Sequence, residues 1–195
     1  LAVVLNVEAD HLDYFKDLQD VQKSFRAFAG LASQGILVNG DDANTMECVS
    51  GMDCVTFGLG EQNRIRAINI SEDWSEFDVI CDGAFYAHLK LSVFGKHNTL
   101  NALAAAGAGW MLGVSGEDAA NGLATFTGAG RRMERKGEYN GAPVYDDYAH
   151  HPGELSCLID AVRTQGYKRV VVAFQPHTYA RTHALFEDFV QELKR

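Results

Sequence analysis

The chain has 195 residues, 47 % of them hydrophobic and 22 % charged, enough for one large domain or for one domain with part of another. Its net charge of −9 argues against nucleic acid or an anionic membrane as partner, because both are bound through cationic surfaces. No stretch reaches the roughly 20 apolar residues of a membrane span, and Leu1 to Leu5 has no basic residues before it and runs into Asn6 and Glu8, unlike a signal peptide.

Taken in chain order, strand and helix patterns alternate, which predicts a mainly parallel sheet covered by helices. Ala2-Val3-Val4-Leu5 reads as a buried parallel strand. Asp17 and Asp20 are suited to cap a helix carrying Leu18, Val21, Phe25, Phe28 and Ala32 on one face. Gly35 to Asn39 is a short apolar run that ends in Gly40-Asp41-Asp42, a loop leading into another helix, and Cys54 to Phe57 is the next strand. From Arg64 to Val93 apolar and polar residues alternate, which predicts an antiparallel or mixed section wetted on one side. Helices come next over residues 97–112 and 116–126, the first rich in Ala and Gly.

Gly128-Ala129-Gly130 marks a hinge, and a domain boundary is placed there. Beyond it come a strand pair over 133–147, a helix starting at Pro152, the apolar strand Val170 to Phe174, and a last helix bearing Leu185, Phe186, Phe189, Val190 and Leu193. This tail is like the opening of a nucleotide-fold domain. The chain starts without Met on a core-strand pattern and stops in an amphipathic pattern at Arg195, so the expectation is a piece of a longer protein. Cys48, Cys54, Cys81 and Cys157 lack metal-type spacing and are expected as buried free thiols in a reducing cytoplasm.

Four segments put unusual polar residues at loops after apolar strands, where open parallel sheets bind ligands. Asn6 to Asp13 concentrates three carboxylates and the imidazole of His11 within six residues, suited to a phosphate-bound magnesium or, equally, to decorating a helix N-terminus. In Gly95 to Ala105, Asn98 and Asn101 share one face of a first helical turn, and each amide offers a donor and an acceptor for the edge of an adenine; capping is the simpler alternative. Tyr145 to Pro152 ends a strand in Asp146, Asp147, Tyr148, His150 and His151. Adjacent histidines in a turn point apart and no third zinc ligand lies at a usual spacing, so substrate contact by His150 and a ribose contact by Asp147 fit better than zinc. Phe174 to Thr182 places His177 and Arg181 near a helix start, where Arg181 could meet a carboxylate bidentately or simply pair with Glu187 or Asp188. The cations Arg131, Arg132, Arg135 and Lys136 form either a local anion site or a solvated turn.

Together these segments resemble the Mur ligase family over essentially the whole chain. The stretch His97 to Ala105 is of a kind shared across the family, whereas Asn6 to Phe15, Asp146 to Pro152 and Phe174 to Thr182 are most similar to its alanine-adding branch. The resemblance implies an α/β fold: residues 1–130 as the latter part of a central ATPase-type mixed sheet, and 131–195 as the first part of a C-terminal, Rossmann-like, amino-acid-binding domain. It implies an ATP-dependent, cytoplasmic ligase of peptidoglycan precursor synthesis, with ATP and Mg2+ as cofactors and UDP-N-acetylmuramate and L-alanine as substrates. His11 is then near magnesium, Asn98 and Asn101 at the adenine, Arg132 at the transferred phosphate and Asp147 at the ribose. Tyr148, His150, His177 and Arg181 surround the amino acid and the muramoyl carboxylate, with His150, Arg132 and Arg181 the catalytic candidates. Met133 stands where many relatives have Phe. The family's glycine-rich phosphate loop is absent from these residues, so the chain by itself is expected to be inactive.

Three alternatives stay open: the family's recycling branch, which attaches a whole peptide to the same sugar; from another class, a metal-dependent hydrolase using His11, His150 and His151; and a non-catalytic interaction module.

Overall fold

The computed structural model describes residues 1–12 and 14–195; Asp13, the last carboxylate of the first candidate segment, lies outside the described residues. Six strands form one sheet in sequence order: β1 (Ala2–Val4), β2 (Ile36–Asn39), β3 (Val55–Gly58), β4 (Ile65–Ile68), β5 (Glu76–Cys81) and β6 (Ala84–Lys90). The first four are parallel, and β5 and β6 return antiparallel. The split reflects the residues. β2 is buried along its whole length, as a strand between two helical layers must be, whereas β5 and β6 bury alternate positions.

Helices cover both faces of the parallel section. On one side α1 (Leu18–Gly30) and α2 (Ala43–Cys48) close over Val4, Val7, Ile36, Val38 and Val49. Asp17 caps α1, its side chain accepting from the Asp20 amide, as its place before the apolar periodicity predicts. On the other side α3 (Lys96–Met111) packs on Leu37, Phe57, Ile65, Phe77, Val79 and Leu89 through Ala102, Leu103, Ala104 and Ala106. Small residues make that contact close: a Cβ on Gly107 would lie 2.8 Å from Cδ1 of Ile65. Leu103 is fully buried, which stabilises by about 1.5–3 kcal/mol. α4 (Gly116–Ala124) comes after it, capped by Ser115.

The remainder is a hairpin and three helices: β7 (Glu134–Tyr139) and β8 (Ala142–Asp146), then α5 (Pro152–Arg163), α6 (Tyr179–Ala184) and α7 (Phe186–Leu193). Pro152 sits at the first turn of α5, where its missing N–H costs nothing. The start of α3 touches α5 tightly, a Cβ on Gly95 falling 2.7 Å from that of Ala161.

Three expectations are corrected. Val170 to Phe174 is not a strand; Val171 is 76 % exposed, because among the described residues no neighbouring strand offers it a ladder. The last helix is two, broken at Leu185, which caps α6 and opens α7 and leaves Phe186 exposed. Of the cysteines Cys48 and Cys81 are buried, Cys54 partly so, and Cys157 is exposed; all four are free thiols.

Candidate active site

A cleft of about 1300 Å³ opens between the sheet's loop edge and the start of α5. Its walls include Glu8, Asp10 and His11, then His97, Asn98 and Asn101 of α3, and across from them Arg132, Asp147, His151 and Glu154. Three of the four candidate segments therefore meet on one surface. The fourth reaches it through a contact: the guanidinium of Arg181 donates to Oδ1 of Asp10 at 3.2 Å, bridging 171 residues of sequence. Asp10, and not Glu187 or Asp188, is its acidic partner. Both side chains are shielded, Arg181 at 14 % and Asp10 at 34 % exposure. Burial pushes the Asp10 carboxyl up, but the His11 amide, His11 and Arg181 together outweigh it and hold the group below its ordinary value.

The candidate loops hold four of the eight non-glycine residues with positive φ among the described residues, the others being Asn69, Trp74, Asp82 and Asn140. His11, Arg131, Met133 and Thr178 all have φ between 47° and 66°, a left-handed conformation that costs non-glycine residues free energy. Arg131 and Met133 flank Arg132, and the carbonyl of Arg131 accepts from the Tyr148 amide at 2.8 Å, so this turn is fastened to the segment after β8. Asp147 completes the fastening, accepting from the amides of Met133 and Ala149, each at 2.8 Å. The cationic cluster divides accordingly. Arg131 lies over the Tyr148 ring at 4.6 Å and pairs with Asp146, and Arg135 and Lys136 pair with Glu138 and Glu134. Arg132 and Arg135 line the cleft, and Arg132 alone of the four reaches Glu154.

Glu154 is the residue that sequence reasoning missed. Its Oε1 takes two bonds from Arg132, at 3.1 and 3.2 Å, while its Oε2 accepts from the amides of His150 and His151 at 2.8 and 3.2 Å. Burial would raise its carboxyl, but the His150 amide, His150 and Arg132 outweigh that and keep it low. The signal was present, since an acid three residues after a helix cap makes a capping box. His97 was missed too. It is half-buried on the cleft wall, and its imidazole is pushed below the ordinary histidine value by burial, with Asp147 opposing and Arg132 adding to the shift.

The two adjacent histidines do point to different tasks. His151 caps α5, its Nδ1 accepting from the Gly153 amide at 3.3 Å, with Glu8 Oε2 3.9 Å away. His150 Nδ1 faces two acceptors, the Tyr148 carbonyl at 2.7 Å and Glu154 Oε2 at 3.3 Å, which assigns the ring hydrogen to Nδ1 and leaves Nε2 bare in the neutral ring. Tyr148, tilted, and the exposed His177, edge-on, pack around it, with ring centroids 4.8 and 6.2 Å from that of His150. Asn98 donates to the Phe94 carbonyl at 2.8 Å and so does not cap its helix, and Asn101 lies exposed one turn further on.

Among the described residues no three His, Cys, Asp or Glu side chains converge on a metal position. A hydrolase site built on His11, His150 and His151 therefore has no ligand set. Nor do Asp10 and His11, the latter side chain 68 % exposed, make a complete magnesium site. A magnesium ion there would need phosphate oxygens and water to fill its octahedral shell. No helix is long and apolar enough to cross a membrane among the described residues.

Comparison with known proteins agrees on both halves of the chain. The family model described as the Mur ligase middle domain matches residues 1–109, and that described as the Mur ligase glutamate ligase domain matches residues 131–195. The UDP-N-acetylmuramate–L-alanine ligase of Caldanaerobacter subterraneus subsp. tengcongensis is 44 % identical over 98 % of this chain. The crystal structure of the UDP-N-acetylmuramate–alanine ligase of Thermotoga maritima superposes with a TM-score of 0.76 over 98 % of the chain at 28 % identity. The peptide-attaching UDP-N-acetylmuramate ligase of Neisseria meningitides, also 28 % identical, covers 64 % of the chain with a TM-score of 0.54. The chain spans 43 % of the length of the first two relatives and 39 % of the third. By its mixed sheet and by these matches over both of its halves, the chain belongs to the Mur ligase family.

Proposed function

We propose that this chain carries the nucleotide-facing and amino-acid-facing walls of a cytoplasmic, ATP-dependent ligase that joins L-alanine to UDP-N-acetylmuramate during peptidoglycan precursor synthesis. The observation that carries the reading is the convergence of three polar loops on one cleft, lined by Arg132, with the fourth loop tied to it by Arg181; both arginines are held by carboxylates that an anionic substrate can replace. The alanine branch is preferred to the peptide-attaching one because a named alanine ligase is 44 % identical over almost the whole chain, and the solved alanine ligase, at the same 28 % identity as the peptide-attaching one, superposes over more of the chain with the higher TM-score. We place the boundary between the two walls at Gly128 to Gly130, which would let them close on each other.

In this reading the muramoyl carboxylate attacks the terminal phosphorus of ATP, ADP leaves, and an acyl phosphate forms. The alanine amine then attacks the acyl carbon, inorganic phosphate leaves and the amine gives up a proton. Such chemistry is mainly positioning and charge neutralisation. Asn98 and Asn101 hold the adenine, against the small side chains of Ala102 and Ala105 on the same wall. Asp147, already rigid through its two amide bonds, offers its remaining lone pairs to the ribose. Arg132 neutralises the transferred phosphoryl group, and Arg181, with Tyr148 and His177 beside His150, receives a carboxylate. The bare Nε2 of His150 is suited to take the amine proton. His11 stands at the cleft wall, where it would help to hold a phosphate-bound magnesium; the ion would neutralise phosphate charge there.

The test is phosphate release by a polypeptide of the relatives' full length carrying this segment. Release should require ATP, UDP-N-acetylmuramate and L-alanine together, and Arg132→Ala should lower kcat by about 10²–10³. Release that responds to a murein tripeptide and ignores alanine would overturn the alanine reading.

A further inference from the structure

Val7 is fully buried three residues beyond the end of β1, where the ladder with β2 has already closed at Val4 and Val38. A buried residue needs partners for both its backbone polar groups. Two side chains at the start of α2 supply them. The Asp42 carboxylate accepts from the Val7 amide at 3.2 Å, and the Asn44 side-chain amide donates to the Val7 carbonyl at 2.9 Å.

The clamp is itself anchored. Asp42 caps α2, accepting from the Thr45 amide at 2.9 Å and from the Thr45 hydroxyl, and Thr45 is fully buried. Gln22 of α1 donates to the Asn44 carbonyl at 3.2 Å, and Arg26 binds the carbonyls of Cys48 and Ser50 at the far end of α2. The short helix is thus tied down at both ends. Immediately after the clamped residue stands Glu8, 3.9 Å from His151, and two residues later Asp10, bonded to Arg181. Neither Asp42 nor Asn44 lines the cleft.

We propose that Asp42 and Asn44 are positioning residues: by bracketing the Val7 backbone they fix the loop that sets Glu8 against His151 across the cleft and Asp10 against Arg181. This rests on the ligase reading of that cleft. Neither side chain is placed to touch substrate; both act through the backbone.

Two variants separate the clamp from mere helix stability. Asn44→Ala removes the donor to Val7. Asp42→Ser keeps an oxygen able to cap α2 but is too short to reach the Val7 amide. In the full-length ligase both should lower kcat by roughly tenfold to a hundredfold, since small misplacements near reacting groups have effects of that order. KM for ATP should stay within about twofold, because Asn98 and Asn101 stand on α3. In the 195-residue chain both variants should speed hydrogen exchange at Val7 to His11 while leaving β5 and α3 protected. Unchanged kcat and unchanged exchange in folded variants would overturn the proposal, and so would a general loss of protection in which KM for ATP rises alongside. If the unsubstituted ligase shows no alanine-dependent phosphate release, the ligase reading fails, while the exchange at Val7 still decides the clamp.

Discussion

The two halves of this chain are built on the same alternation of apolar strands and amphipathic helices, yet they bury very different amounts. In the sheet half Leu37, Phe77, Leu89 and Leu103 are completely excluded from solvent, with helices on both faces of the parallel strands. In the second half Pro152, Leu155, Ala161 and Phe189 are buried, while the equally apolar Val170-Val171-Val172 run stays exposed. The difference teaches that an apolar pattern states what a segment could bury, and the neighbours decide whether it does. A parallel strand cannot form from its own residues, because every one of its hydrogen bonds belongs to a ladder.

The sharpest way to break this comparison is a pair of truncations of similar chemistry. Leu103→Ala should destabilise the chain by about 2–5 kcal/mol, the range for deleting a fully buried leucine. Val171→Ala should change stability by no more than about 0.5 kcal/mol, as at an open surface. Urea midpoints of the two variants, measured by circular dichroism, check both. Equal losses would mean that the Val170 to Val172 run is packed in solution.

Legibility divided along the same line. The parallel strands, the cap at Asp17 and the start of α5 at Pro152 could be read because period, cap and turn residues all agreed locally. The loop segments could be read as chemical because carboxylates, imidazoles and amides crowd where open sheets bind ligands. What could not be read is which partner each would choose. Arg181 has Glu187 and Asp188 within two helical turns, yet it pairs with Asp10 near the opposite end of the chain. Glu154 looked like an ordinary helix-start acid, and only the folded turn around Arg132 makes it the hub that joins Arg132 to the His150 and His151 amides. The break at Leu185 was hidden because the apolar spacing continues across it.

The Asp10–Arg181 pair is the polar counterpart of that comparison, since it ties the half with the dense core to the half without one. Its exposure is intermediate, so its worth lies between the roughly 0–1 kcal/mol of an open surface pair and the roughly 3–5 kcal/mol lost on breaking a buried one; screening brings it to about 1 kcal/mol. The folded state holds the Asp10 carboxyl below its ordinary 3.8, so this contribution is present above that value and is lost as pH falls through the lower, folded one. Arg181→Ala should therefore lower the thermal midpoint at about pH 6 by a few degrees. The gap to the parent protein should narrow as pH is taken below 3.8. A gap that persisted at the acid end would show that Arg181 contributes through packing and not through Asp10.

The smallest effect expected is at His97, which stands on the wall between the halves, with Arg132 and Asp147 of the second half acting on its charge. Burial and Arg132 both disfavour the charged ring, Asp147 favours it, and the net result is a folded value below the ordinary 6.5. A depressed histidine is neutral in the folded state and must pick up its proton more readily when unfolded. Its contribution to stability is thus complete above 6.5 and is lost as pH falls through the folded value. Replacing it by Gln, which keeps the hydrogen-bonding shape without the titration, should flatten the fall in thermal midpoint over that window. Arg132→Ala should raise the His97 titration midpoint, read from its imidazole carbon shift, because one opposing charge is gone. A midpoint that ignored Arg132 would mean that the two walls of the cleft do not sense each other electrostatically, and that burial on α3 alone sets the state of His97.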